Sequence, residues 1–195
     1  MSTDQKTLEA YDAAAERYTE MMKGAEKPEL DALIEALGPG AEVLDLGCGP
    51  GVDMERMAAH GLVPQGLEPT PAFVARGQAE GLDIREGSFE DLDETDRYDA
   101  VWASFSLLHA PRDVFGDHLA RIHKALRPGG RFVLGMKTGT GEDRDALGRQ
   151  YTYYTVPELA QALQGAGFSL AEIREGREAG LAGSVDPFAV ITAHA

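Results

Sequence analysis

A chain of 195 residues with 43% hydrophobic content and a mean hydropathy of −0.27 has the make-up of one soluble globular domain with a full core. Its 33 acidic residues against 18 basic ones leave a net charge of −15, which disfavours nucleic acid and anionic membrane surfaces as partners. The single cysteine, Cys48, excludes an intramolecular disulfide and fits a reducing cytoplasm. With no apolar run long enough to span a bilayer and no basic-then-apolar leader, neither a span nor a signal peptide is expected.

Ser2 and Gln5 have capping-box spacing, and Leu8, Tyr11, Ala15, Tyr18 and Met22 follow at steps of three and four. One amphipathic N-terminal helix is predicted, inside a helical segment 1–27. Leu30, Leu33, Ile34 and Leu37 make a second helical face, closed by Gly38-Pro39-Gly40. The apolar run Val43, Leu44, Leu46 reads as a buried parallel strand that ends in three glycines, and a helix starts at Val52. Leu62–Leu67 predicts the second strand, finishing at Glu68. Thr70 at the N-cap and Pro71 at the first helical position open the next helix, which runs toward Gly81.

Leu82–Arg85 is a short third strand, Ser88–Arg97 an acidic connection and Tyr98–Ala103 a fourth strand. Phe115, Leu119, Ile122 and Leu126 share a helical face, with His118 and His123 on its polar side. Arg127-Pro128-Gly129-Gly130 predicts a tight turn into a fifth strand, Phe132–Met136. Thr155 and Glu158 form a second capping box with Tyr154 and Leu159 at the staple positions, and Gly167 closes that helix. Phe168–Arg174 and Pro187–Thr192 read as a terminal strand pair. Alternating strands and helices without an internal repeat predict a single α/β domain over 1–195, a doubly wound and mostly parallel sheet with helices on both faces.

In such a sheet, ligands bind beyond the carboxyl ends of the strands. Glycines after the first strand let ligand approach the backbone, because no Cβ holds it away. The nicotinamide fingerprint G-x-G-x-x-G wants its third glycine where this chain has Val52, which disfavours an oxidoreductase. Glu68 stands roughly twenty residues after the loop, where a carboxylate can accept both hydroxyls of a ribose; the structural alternative is an acid facing a helix start.

Asp45-Leu46-Gly47-Cys48-Gly49-Pro50-Gly51 resembles the first motif of the class I S-adenosylmethionine (SAM) dependent methyltransferases. Gly87-Ser88-Phe89-Glu90-Asp91-Leu92 is similar to that family's adenine-binding turn, although the family usually has Asp where this chain has Ser88. Tyr98-Asp99-Ala100-Val101 and Leu126-Arg127-Pro128-Gly129-Gly130 resemble its fourth-strand and pre-fifth-strand signatures. The resemblance runs from about Tyr11 to Phe168 and implies a seven-stranded sheet whose last strand alone is antiparallel. It also implies SAM as cofactor. Asp45, Gly47, Cys48, Gly49 and Gly51 would cradle the methionine moiety, Glu68 and Pro69 the ribose, and Ser88 and Phe89 the adenine. Ala103 and Ser104 border the site from strand four, and Tyr18 covers the methionine end as part of an N-terminal lid.

His109, in the loop after strand four, is the candidate base or substrate contact; the alternative is a loop-bracing hydrogen bond. The acidic run Glu90 to Asp96 reads as a solvated loop, so no metal is expected. The stretch Thr138–Tyr154 is long for a connection and reads as a functional lid. If its end is extended, Arg149, Tyr151 and Tyr153 share one face, and one cation beside two phenols suits a small anionic or polar acceptor. Tyr11, Trp102, Ser106 and His109 would close the other side. Otherwise Arg149 pairs with Glu142 or Asp145 at the surface. The expected activity is methyl transfer from SAM to a small molecule, with a non-catalytic SAM- or nucleotide-binding protein as the alternative. Oligomeric state leaves no mark in the sequence.

Overall fold

The computed structural model describes residues 4–195. Ser2, half of the expected capping box, lies outside them, and Asp4 caps the first helix instead by accepting the Thr7 N–H at 2.9 Å. The N-terminal segment is two helices, α1 (Gln5–Ala13) and α2 (Ala15–Lys23), rather than the single one predicted. Ala14 leaves the helical region at φ −106°, ψ 11°. The break lets Tyr11 and Tyr18 converge on Phe73, with ring centroids 5.9 and 5.3 Å away.

The body follows as α3 (Pro28–Leu37), β1 (Glu42–Leu46), α4 (Val52–Ala59), β2 (Val63–Glu68), α5 (Pro71–Ala79), β3 (Ile84–Glu86) and β4 (Tyr98–Ser104). Then come α6 (Phe115–Ala125), β5 (Leu126–Lys137), β6 (Glu142–Arg144), β7 (Gln150–Thr152), α7 (Val156–Gly165), β8 (Ser169–Ala179) and β9 (Val185–His194). The main sheet has seven strands in the order β3-β2-β1-β4-β5-β9-β8. Its first five are parallel, and β9 runs antiparallel to both neighbours, so β9 is the one reversed strand.

Alternate residues of β4 feed two cores, as a period of two dictates. Ala100 and Trp102 pack with Leu30, Leu33 and Ile34 of α3. Val101 and Ala103 pack on the opposite face with Leu119 and Ile122 of α6 and Leu159 and Leu163 of α7. The second capping box forms as read, with Thr155 Oγ1 and Glu158 exchanging bonds with each other's backbone N–H.

Three local expectations fail for tertiary reasons. Arg127–Gly130 is no separate turn but a bulge inside β5, which pairs with β4 at Tyr98↔Leu126 and again from Ala100↔Arg131. His118 lies in the core, its ring 5.4 Å from that of Phe89, because α6 is covered on the side expected to face water. The terminal pair is far longer than predicted, since β8 and β9 stay paired from Ser169↔His194 out to Ala179↔Val185. This hairpin overhangs the sheet, and Arg17 of α2 donates to the Leu181 carbonyl at its tip (2.7 Å).

Candidate functional site

The glycine loop after β1 owes its shape to three left-handed residues, Gly47 (φ 75°), Gly49 (φ 54°) and Gly51 (φ 86°). A Cβ on Gly47 would stand 2.3 Å from Ser106 Cβ, and one on Gly49 would stand 3.3 Å from the Tyr18 ring. So Tyr18 lies directly over the loop. Cys48 is buried and its thiol is pushed far up by burial and by Asp45 and Glu68, which makes it a small packing residue and no nucleophile. Gly51 packs against Leu82, away from the cavities.

Glu68, at the end of β2, is buried, and burial raises its carboxyl above the usual range. Its Oε2 accepts the Gly49 N–H at 2.9 Å and its Oε1 the Thr70 N–H at 2.8 Å. The Thr70 side chain bonds the same carboxylate, and the acceptor capacity that remains is what a ribose hydroxyl requires. Glu68 and Pro69 line a cavity with Gly47, Gly49 and Ser104, roofed by Thr7, Leu8 and Tyr11 of α1.

A smaller cleft beside it is lined by Asp45, Cys48, Asp53 and Tyr18. Asp53 is neutralised by Lys27 (2.6 Å) and also accepts the Trp102 indole N–H (2.9 Å). Asp45 is different: its Oδ2 is buried with no hydrogen-bond partner among the described residues, and burial together with Asp53 holds its carboxyl well above the usual range. A buried acceptor without a donor is costly in isolation. It is satisfied by a ligand bringing a cationic or N–H group to the loop, as the ammonium of a methionine moiety does. The residues present therefore fit SAM.

The third cavity at the loop, about 170 Å³ and roomier than the two beside it, opens on the other side of Tyr18. Tyr18 and Ser104 line all three spaces. Trp102, Arg149, Tyr151 and Tyr11, read from the sequence as acceptor contacts, are brought together in the lining of this cavity. Tyr153 does not: its ring stacks behind Tyr151 (centroids 6.0 Å, interplanar angle 15°). Ser106 faces the Glu68 cavity, its Oγ donating to the Leu46 carbonyl (2.5 Å). Ala103 is wholly buried in the core, and Ser88 spends its hydroxyl on Asp91 (3.0 Å) as a cap for the 3-10 turn that carries Phe89.

His109 does not stand free as a base. Its Nδ1–H donates to the Gln150 carbonyl (2.6 Å), which leaves Nε2 to accept the Tyr11 hydroxyl (2.9 Å). Burial lowers its pKa to about 4, so the ring is neutral and braces the loop. Tyr11 in turn accepts from Arg149 Nη1 (3.0 Å), whose Nε and Nη2 both meet Asp145 Oδ2 (2.9 and 2.6 Å). Arg149 does pair with Asp145, yet the pair is interior, with side-chain exposures of 3% and 11%. It is therefore not a free cation for an anionic acceptor. The β6–β7 hairpin that carries this network is latched to α1 by Asp4–Arg144 (2.7 Å) and by the Gln150 N–H on Thr7 Oγ1 (2.8 Å).

What sequence reasoning missed is the β8–β9 tip. Glu178, Gly180 and Leu181 wall the large cavity, with Phe188 and Arg174 behind them. The only hint was the alternation of polar residues along a strand too long for its apolar content.

Residues 43–130 match the model of a family described as a methyltransferase domain. Among curated proteins, the tRNA U34 carboxymethyltransferase of Pseudoalteromonas translucida is 31% identical over 127 residues, 60% of this chain and 39% of that one. Its counterpart in Shewanella frigidimarina is 28% identical over 133 residues, 60% of this chain and 40% of the other. The chain thus spans about two fifths of the length of these curated relatives. Among solved structures, the 1,6-didemethyltoxoflavin-N1-methyltransferase of Burkholderia thailandensis, with 1,6-didemethyltoxoflavin and S-adenosylhomocysteine bound, is 26% identical with a TM-score of 0.76, over 97% of this chain and 87% of that one. A SAM-dependent methyltransferase of Mesorhizobium loti shares the fold at 23% identity and a TM-score of 0.71, over 88% and 99%. Strand order, glycine loop and the match over residues 43–130 agree on a methyltransferase domain with the class I SAM-dependent fold.

Proposed function

We propose that this protein transfers a methyl group from SAM to a small molecule held in the cavity under the β8–β9 tip. One observation carries the reading: Tyr18 and Ser104 line both the spaces at the glycine loop and the large cavity, so donor and acceptor chambers abut there. Bound at the loop, SAM supplies a methyl group on a positively charged sulfur. Glu68 would hold the ribose hydroxyls and Asp45 the ammonium, while Phe89 flanks the adenine end. Tyr18 and the helices α1 and α2 would act as a lid over Trp102 of β4, one that excludes water and fixes the approach of the acceptor. Holding two reactants in line in a dry chamber supplies much of the acceleration that such a displacement needs. Aromatic faces around the transfer point favour the positive charge spread over the transition state.

The test is calorimetry with SAM, followed by incubation with labelled SAM and a metabolite extract and identification of the methylated product by mass. No SAM binding refutes the reading. Binding without formation of S-adenosylhomocysteine favours a non-catalytic binding protein. A tRNA acceptor is the second reading, supported by the names of the curated relatives. Against it stand the net charge of −15 and an acceptor chamber closed by helices and a hairpin. Label appearing in a total tRNA fraction decides between the two.

A further inference from the structure

The floor of the large cavity is a single register row. Ser104 pairs with Gly135, Gly135 with Val190, and Val190 with Arg174, across four adjacent strands. All four residues line the cavity. Three interstrand steps span about 14 Å, room for a flat two-ring molecule with one edge at Ser104. The walls are Tyr11, Tyr18, Trp102, Phe105, Tyr151 and Phe188, six aromatic side chains. Such a box selects flat aromatic ligands, and it favours those that gain positive charge.

The charges lining the cavity sharpen this. Lys27, Lys137, Arg149 and Arg174 each have a carboxylate of their own, on Asp53, Asp186, Asp145 and Glu29. None is left to hold an anionic acceptor. Glu178 at the mouth is the opposite case, making no hydrogen bond or ion pair among the described residues, with its carboxyl raised by partial burial. The carboxylates of the lining stand on the segment after α2, on α3 and on the β8–β9 hairpin (Glu26, Glu29 and Glu178), and the aromatic side chains beside Ser104 supply no base to ionise a phenol there. Burial keeps Tyr11, Tyr18 and Tyr151 protonated, and His109 has both ring nitrogens bonded and opens to the other cavity.

Resting on the transferase reading above, we infer that the acceptor is a flat nitrogen heteroaromatic, methylated on a neutral ring nitrogen, whose far N–H edge is held by Glu178. A ring nitrogen needs no base to react, since its in-plane lone pair is already free. That pair forms the N–CH₃ bond as the C–S bond breaks, the bonding electrons go to sulfur, and the positive charge passes to the ring. Where the product nitrogen system carries an N–H, its proton leaves to water.

The experiment measures binding, not turnover, by titrating size-matched probes into the protein saturated with S-adenosylhomocysteine. The probes are quinazoline, 4-aminoquinazoline, 2-naphthol and 2-naphthoate. 4-Aminoquinazoline is expected to bind at least tenfold more tightly than 2-naphthol or 2-naphthoate. Glu178→Gln, at an exposed position that leaves the fold intact, is expected to weaken 4-aminoquinazoline about tenfold and to leave quinazoline, which has no N–H, unchanged. Heteroaromatics that bind no better than the naphthol or the naphthoate, or not at all, overturn the inference while the transferase reading stands. Unchanged affinity of Glu178→Gln for 4-aminoquinazoline removes Glu178 from it. Failure of S-adenosylhomocysteine itself to bind overturns the transferase reading and this inference with it.

Discussion

Asp145→Ala isolates the interior ion pair at the edge of the large cavity. The Arg149 guanidinium is 3% exposed and gives two of its donors to Asp145 Oδ2, while Asp145 Oδ1 also accepts the Arg149 and Leu147 backbone N–H groups at 3.0 Å each. Removing the carboxylate strands a buried cation among phenol rings, a change that typically costs about 3–5 kcal/mol. The loss of two backbone acceptors works in the same direction, although both N–H groups can turn to water in a loop. For a chain of this length 1 kcal/mol corresponds to about 2–4 °C in Tm, so a drop of roughly 6–20 °C is expected. Arg149→Met removes the charge but keeps the stem that packs on Tyr11 and Tyr151, and leaves the better-solvated Asp145 unpaired at a cost of about 1–2 kcal/mol. The double variant should then be more stable than Asp145→Ala alone by about 2 kcal/mol, because no buried charge is stranded. Urea unfolding of the four proteins completes the cycle. Asp145→Ala also exposes a free cation to the cavity, so its affinity for 2-naphthoate should rise. An Asp145→Ala protein within 1 kcal/mol of the parent, with no gain for the anion, would refute the view that Arg149 is interior and neutralised.

His109 has a folded pKa of about 4 against an ordinary 6.5, so its contribution to stability is intact above pH 6.5 and is lost as pH falls toward 4. The loss should reach about 3 kcal/mol by pH 4. His109→Gln should flatten that part of the unfolding profile, and an identical acid slope in both proteins would count against the assignment. Gly47→Ala places a Cβ at φ 75° and 2.3 Å from Ser106 Cβ, and should destabilise by about 3 kcal/mol from left-handed strain and a displaced buried hydroxyl. Pairing it with Ser106→Gly should recover the clash but not the strain, which urea unfolding can resolve. Glu68→Ala should weaken SAM binding by about 2–3 kcal/mol through lost charged hydrogen bonds, and calorimetry showing equal affinity would take Glu68 out of the site.

What the sequence by itself determined are features set by neighbours along the chain. The glycines at 47, 49 and 51 must take positive φ to turn a buried strand into α4, and the apolar run before them admits only a covered parallel strand. The Thr155–Glu158 box needs four residues and no tertiary help. Glu68 could be placed because the end of a strand in an α/β sheet is where ligand chemistry gathers. Tertiary structure alone decided which charges are spent and which are left over. Asp145 cancels Arg149, Lys27 cancels Asp53, and among the described residues Glu178 makes no hydrogen bond or ion pair and Asp45 Oδ2 has no hydrogen-bond partner. Nothing local could show that His109 braces α1 through Tyr11, that His118 is roofed over, or that Leu181 folds back under Arg17. Periodicity reports which side of an element is apolar, while pairing between residues 138 or 164 positions apart is fixed only when the elements pack.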